Sequence, residues 1–388
     1  MIYILTSSIV LKYLKHLIIN HLLIYDAMGN PLSDGVAPMV SIRNFFILSL
    51  ALVFSLVAKD DYHIEFQPDA LQVAFDLPCK GEIKQKEDGY VYVDVSNDFI
   101  NKVAPKIIME GRLQTLPTAG RSMGAHISVF YEKENVQLEE NHKNYPFQLT
   151  DIRSFVMNTR DGLKKLWVIG VTAPELENLR LKYGLNPLLQ GHDYHITLGK
   201  QLPTAPEGWE SKTALSPLNF SSSETEPMAK SGDFVQVNHS NILQTAAKVN
   251  SVAQLKLKSN GFVYLDVNDR YIDDIVSQLP LSHPFSAVET GGKKMGAHIS
   301  VIYEDEMISK EIWNLNEAGE WFIFEVKELR YIDRKTPTGL MRLWVLAADA
   351  PALQRLRKQY GLKPKLHGHD FHITLGSELL EAEIKEAA

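Results

Sequence analysis

Four short segments each set an imidazole and a hydroxyl two residues apart: His126 with Ser128, His195 with Thr197, His298 with Ser300, and His372 with Thr374. On a β-strand, residues i and i+2 point to the same face about 7 Å apart, so each segment presents one imidazole and one hydroxyl together. The intervening Ile127, Ile196, Ile299 and Ile373 face the opposite, apolar side. Two such strands side by side offer two imidazoles and two hydroxyl donors to one anion. Displacement at phosphorus needs that set: a base, an acid, and neutral hydrogen bonds to the non-bridging oxygens. A histidine within a strand is also an ordinary structural residue, and duplication copies structural residues too. The independent signal is the likeness of HISV and HITL inside one unit, with His126 and His195 separated by 69 residues.

The chain repeats itself. MGAHISVFYE at 123–132 returns as MGAHISVIYE at 295–304, with nine of ten residues identical at an offset of 172. GHDYHITLG at 191–199 returns as GHDFHITLG at 368–376, eight of nine identical at an offset of 177. GYVYVDV at 89–95 and GFVYLDV at 261–267 also match, and the blocks keep the same order, which marks a duplicated unit. The units run from about 65 to 202 and from about 237 to 379.

Within a unit, the apolar period implies strands at 90–95, 126–131, 147–157, 166–171 and 195–198. Helical spacing occupies 98–108 and 174–183, the second opening on Pro174 and closing at Gly184. This order implies an α+β fold, helices packed on a largely antiparallel sheet, built twice in tandem. The expected organisation is an N-terminal extension (1–58), a first domain (59–203), a polar linker (204–232) and a second domain (233–388). The linker is rich in Ser, Pro, Thr and Glu and lacks an apolar period, which reads as a solvated segment.

The two H-x-[ST]-x strands per unit, HISV and HITL twice over, resemble the signature of the 2H phosphoesterase superfamily, and the likeness covers both repeats. It implies two two-lobed domains, each with a central cleft. It also implies metal-independent chemistry without a cofactor, on 2′,3′-cyclic phosphates, 2′-5′ linkages or other small phosphodiesters. By the same resemblance, His126 and His195 are the acid–base pair of the first domain and His298 and His372 that of the second. Ser128, Thr197, Ser300 and Thr374 would bind the phosphate. Serine in each first motif keeps the hydroxyl of the usual threonine.

Other residues carry weaker signals. Tyr131 and Tyr303, or Tyr194 and Phe371, offer a face on which a base can stack, though aromatic residues at strand ends are commonly core. Arg153 and Arg330 correspond across the repeats and are candidates to meet phosphate. Asp193 and Asp370 share the facing of the following histidine and can orient it; Gly-His-Asp is also an ordinary turn. His192 and His195 do not form a metal pair, because three residues along a strand reverse the facing.

The 388 residues carry a formal net charge of −7 without a run of Lys and Arg, so no extended nucleic-acid surface is expected, while a small nucleotide or RNA-end substrate remains open. The one cysteine, Cys79, excludes an intramolecular disulfide and a thiolate metal cluster. Behind Arg43, an apolar run reaches Ala58 in 15 residues, too short to span a bilayer but matching the apolar region of a leader peptide, with a small residue before the cut. The expectation is a leader at 39–58 cleaved near Ala58, no stable membrane span in the mature chain, and export; cytoplasmic or membrane-anchored residence is the alternative. Residues 1–38 then read as an upstream over-extension of the reading frame. Three function classes follow: a two-site phosphodiesterase, a protein that binds nucleotides or RNA ends without turnover, and a tandem module whose histidines are core. Intact His and Ser/Thr in all four motifs favour catalysis.

Overall fold

The computed structural model describes residues 62–120, 122–159, 161–213, 217–218, 225–228, 233–292 and 294–382. The extension at 1–58, with its leader at 39–58, lies outside the described residues, among which no helix is long and apolar enough to cross a membrane.

The first domain contains β1 (His63–Glu65), α1 (Pro68–Phe75), β2 (Lys80–Gln85), β3 (Val91–Asp94), β4 (Arg112–Thr115), β5 (His126–Phe130), β6 (Asn144–Pro146), β7 (Gln148–Thr159), β8 (Gly162–Thr172), α2 (Pro174–Lys182) and β9 (Tyr194–Leu202). The helical spacing at 98–108 becomes a single turn of π-helix, Phe99–Val103, run into a short 3₁₀ turn, Ala104–Lys106, where Pro105 cannot continue the ladder. The second domain repeats the plan with β10 (Val235–Val237), α3 (Ser240–Ala246), β11 (Val252–Leu257), β12 (Val263–Asp266), α4 (Arg270–Asp273), β13 (Phe285–Ala287), β14 (His298–Ile302), α5 (Glu304–Ser309), β15 (Trp321–Ile323), β16 (Glu325–Thr336), β17 (Gly339–Asp349), α6 (Pro351–Gln359) and β18 (Phe371–Ala382).

Each domain is one antiparallel sheet of nine strands with the same topology. The first runs β1-β7-β8-β9-β5-β3-β2-β6 with β4 on β9, and the second β10-β16-β17-β18-β14-β12-β11-β15 with β13 on β18. The two domains are therefore tandem α+β units. Each sheet has two lobes. The central pair β5 and β9 meets at one register position, Ile127 opposite Ile196, and its counterpart β14 and β18 at Ile299 opposite Ile373. All four isoleucines are fully buried, so the join between the lobes is fastened from the core side.

The segment between the domains differs from the solvated linker expected. Thr204 donates to Trp313 O and accepts from Leu315 N, both at 2.9 Å. Leu218 N donates to Trp321 O at 2.7 Å, which caps the open edge that β15 would otherwise leave. Gln354 and Glu226 bond reciprocally, at 2.8 and 2.9 Å, and Trp209 packs against the second core. The described part of this segment belongs to the second domain because its few apolar residues and its backbone find partners there, a pairing that composition conceals. The domains also touch directly: Arg112 donates to Ser259 O at 2.6 Å, and the Lys165 ammonium lies over the Trp313 ring at 5.4 Å.

Candidate active site

β5 and β9 pair at Ile127 opposite Ile196, so His126 and Ser128 flank that position on one strand and His195 and Thr197 flank it on the other. β14 and β18 pair at Ile299 opposite Ile373, flanked in the same way by His298 and Ser300 and by His372 and Thr374. The two imidazoles of each domain are near enough for the charge of the first to help hold down the pKa of the second. All eight side chains are half-buried, whereas the alternating Ile127, Val129, Ile196 and Leu198, with Ile299, Val301, Ile373 and Leu375, are at 0% exposure. The alternation that places these groups together on one face is present in both domains.

The imidazoles are oriented in one way. His126 Nδ1 lies 2.9 Å from Gly124 O, His298 Nδ1 2.9 Å from Gly296 O, His195 Nδ1 3.2 Å from Asp193 O, and His372 Nδ1 3.0 Å from Asp370 O. A carbonyl oxygen only accepts, so Nδ1 carries a proton and Nε2 is left for chemistry. Among the described residues Nε2 of these four histidines makes no hydrogen bond.

The glycines before each first motif are required. Gly124 and Gly296 have φ of 66° and 65°, and a Cβ there would come within 2.1 Å of Asn97 Oδ1 and 2.4 Å of Asp269 Oδ1. Those same oxygens accept the amide of Ala125 at 2.9 Å and of Ala297 at 2.8 Å, fixing the chain just ahead of the histidine.

The pair Asp193 and Asp370 orients the second histidines through the backbone carbonyl, leaving the carboxylates for other partners. Arg153 Nη1 donates to Asp193 Oδ2 and Arg330 Nη1 to Asp370 Oδ2, each at 3.0 Å. Arg153 is also paired with Asp151, and Arg330 with Glu328 at 2.6 Å; Arg330 is only 4% exposed. Both guanidiniums are thereby committed to carboxylates that fix the turn ahead of His195 and His372.

The aromatic candidates separate. Tyr131 and Tyr303 join a row beside the first histidine: Tyr90 lies 5.9 Å from Tyr92 and 6.1 Å from Tyr131, and Phe262 lies 5.7 Å from both Tyr264 and Tyr303. His126 and His298 stand edge-on to these rows. Tyr194 and Phe371 are 3% exposed and belong to the core. The second histidines meet an aromatic ring from different places: Phe155 at 5.9 Å from His195, and Phe234 at 5.9 Å from His372, where Ile332 takes the position of Phe155. His192 is exposed.

Burial holds all four imidazoles below their ordinary value, and for His126 and His298 the hydrogen bond from Nδ1 opposes it only in part. Lys86 and Lys258 add to the depression of the first histidines, and His126 and Arg153 to that of His195. For His372 burial is joined by His369, Arg334 and His298. The free site therefore holds neutral imidazoles near neutral pH.

Several supporting residues were not singled out from the sequence. Arg180 and Arg357, 1% and 0% exposed, donate to Val129 O at 2.5 Å and Val301 O at 2.6 Å, and pair with Glu134 and Glu306 through two hydrogen bonds each. They tie α2 and α6 to the ends of the first-motif strands. Their matched places at the 177 offset were the available signal.

A family model described as "Swiss Army Knife, 2H phosphoesterase domain" matches residues 91–203 and again residues 263–379. Neither a curated protein nor a solved structure matches the chain. The matched segments hold all four motifs and make up more than half of the chain, each falling within one of the two nine-stranded sheets: the chain belongs to the 2H phosphoesterase family, as a tandem of two such domains.

Proposed function

We propose that each domain is a phosphodiesterase site that works by two-histidine acid–base catalysis on 2′,3′-cyclic phosphates, 2′-5′ linkages or other small nucleotide phosphodiesters. The observation that carries this reading is the shared tautomer: Nδ1 of each histidine is tied to a backbone carbonyl, which leaves two Nε2 atoms and two hydroxyls on one face per domain. One neutral Nε2 takes a proton from water as its oxygen bonds to phosphorus. The partner imidazole, protonated in the complex by the field of the bound anion, gives its proton to the leaving ribose oxygen as that P–O bond breaks. The product is a phosphomonoester. Ser128 and Thr197, or Ser300 and Thr374, donate to the non-bridging oxygens without altering the proton balance. Tyr131 and Tyr303 provide a face for the base.

The test is turnover of 2′,3′-cyclic nucleotides, 2′-5′ oligomers and ADP-ribose 1″,2″-cyclic phosphate by the full chain in the presence of EDTA. Release of a phosphomonoester supports the reading. Tight binding of these compounds without turnover would replace it with that of a nucleotide- or RNA-end-binding protein.

A further inference from the structure

The two domains share topology, motifs and histidine tautomer, yet differ at a residue that touches the anion-facing hydroxyl. The position just before β3 is Tyr90, and its counterpart before β12 is Phe262. Tyr90 is 8% exposed, and its phenol oxygen lies 2.5 Å from Ser128 Oγ. Burial pushes the phenol up to about 12, so it keeps its proton throughout the physiological range. A buried donor needs an acceptor, and among the described residues Ser128 Oγ is the one bonded to this phenol. Either hydroxyl can donate across this contact; with the phenol as donor, the serine oxygen accepts and the serine's own proton is left to turn toward the site. Phe262 keeps the same place in the aromatic row, 5.7 Å from Tyr303 and 6.3 Å from His298, but has no hydroxyl to donate. Ser300 Oγ makes no side-chain hydrogen bond among the described residues and is a free rotor.

We propose that Tyr90 is a positioning residue of the first site: it fixes the Ser128 hydroxyl toward a phosphoryl oxygen, so the first site holds a phosphoryl anion more tightly than the second. This rests on the phosphodiesterase reading above for its link to turnover, but not for its link to binding. Donation into Ser128 Oγ strengthens the bond that the serine in turn donates, and a preset hydroxyl loses less freedom when the anion arrives.

The experiment uses two full-length single-site proteins, His298→Ala/His372→Ala and His126→Ala/His195→Ala, each titrated with inorganic phosphate at fixed pH and followed by the histidine ring NMR signals. The phosphate Kd is expected to be lower for the first. In that protein Tyr90→Phe should raise the phosphate Kd, and the KM where turnover is seen, about two- to tenfold, the worth of one neutral hydrogen bond. In the other protein Phe262→Tyr should lower both by a similar factor. The fold tolerates either ring, since the two domains already carry one each. On a Ser128→Ala background, Tyr90→Phe should change nothing. An unchanged Kd in Tyr90→Phe, or an effect that persists without Ser128, would overturn the proposal. Phosphate binding that depends on Tyr90, with no diester turned over, would uphold it and overturn the catalytic reading. Phosphate bound at neither site overturns both.

Discussion

Arg153 holds the carboxylate of Asp193 at 3.0 Å while the carbonyl of that same aspartate receives Nδ1 of His195, so one residue links a cation on β7 to the imidazole on β9. Arg330 and Asp370 repeat the link in the second domain, also at 3.0 Å. The expected consequence of Arg153→Lys is a loss of orientation, because an ammonium cannot span Asp151 and Asp193 as the planar fork does. In a protein with only the first site intact, kcat should fall about tenfold while KM moves less than threefold, the pattern of a lost transition-state alignment. Steady-state kinetics decide it. A large rise in KM at constant kcat would mean that Arg153 contacts the substrate itself.

Acidification should destabilise the fold through the histidines. All four imidazoles are held below the ordinary value of 6.5, so between that value and their lower folded values the unfolded chain binds more protons than the native one. Stability then rises with pH across this window, and falls as pH drops below about 6.5. His195→Asn and His372→Asn should each flatten that dependence between pH 6.5 and 5, measured as urea midpoints at successive pH values. Identical slopes in wild type and variants would contradict the burial argument.

The motif strands were legible because their polar groups and their packing alternate together. Ile127 and Ile196 had to face a core if His126 and His195 were to face a site, and the structure pairs those isoleucines directly. Short edge elements were not legible. β4, with sequence RLQT, is half exposed and has no period; its trace in the sequence is Gly199, where a Cβ would come within 2.3 Å of Gln114 O. α1 buries only Ala70 and Ala74, small residues that make a faint stripe. Arg180 sits in the last turn of α2, where a basic residue ordinarily offsets the helix dipole at the surface, so its burial could not be read locally. The change from Tyr90 to Phe262 was visible in the repeat alignment, but it acquired meaning only when the phenol was found on Ser128.

Arg180→Met should be among the most damaging substitutions in the first domain. It leaves Glu134 half-enclosed without its guanidinium and releases Val129 O near the end of the first-motif strand. A loss of about 3–5 kcal/mol is expected from breaking one side of a buried pair, with part of it recovered in Arg180→Met/Glu134→Gln. Urea unfolding of the full chain measures both. A loss below about 1 kcal/mol would show that the pair carries little.

The segment after the first domain should contribute to the stability of the second. A fragment of residues 204–388 is expected to melt well above a fragment of residues 233–388, because Thr204, Trp209, Leu218 and Glu226 all bond to or pack on the second domain. Thermal unfolding of the two fragments compares them. Equal melting temperatures would return the segment to the role of a solvated tether.

The central claim is that two imidazoles per domain do the proton transfers, and one series of variants tests it most directly. Turnover of a 2′,3′-cyclic nucleotide is measured in EDTA for the full chain, for each two-histidine variant, and for His126→Ala/His195→Ala/His298→Ala/His372→Ala. Each single His→Ala within a one-site protein should cost on the order of 10²–10⁴-fold in kcat. Either double variant should retain the turnover of the other domain, and the quadruple variant should have none. Undiminished activity in the quadruple variant, or activity that disappears in EDTA and returns with a divalent metal ion, would contradict the two-histidine mechanism.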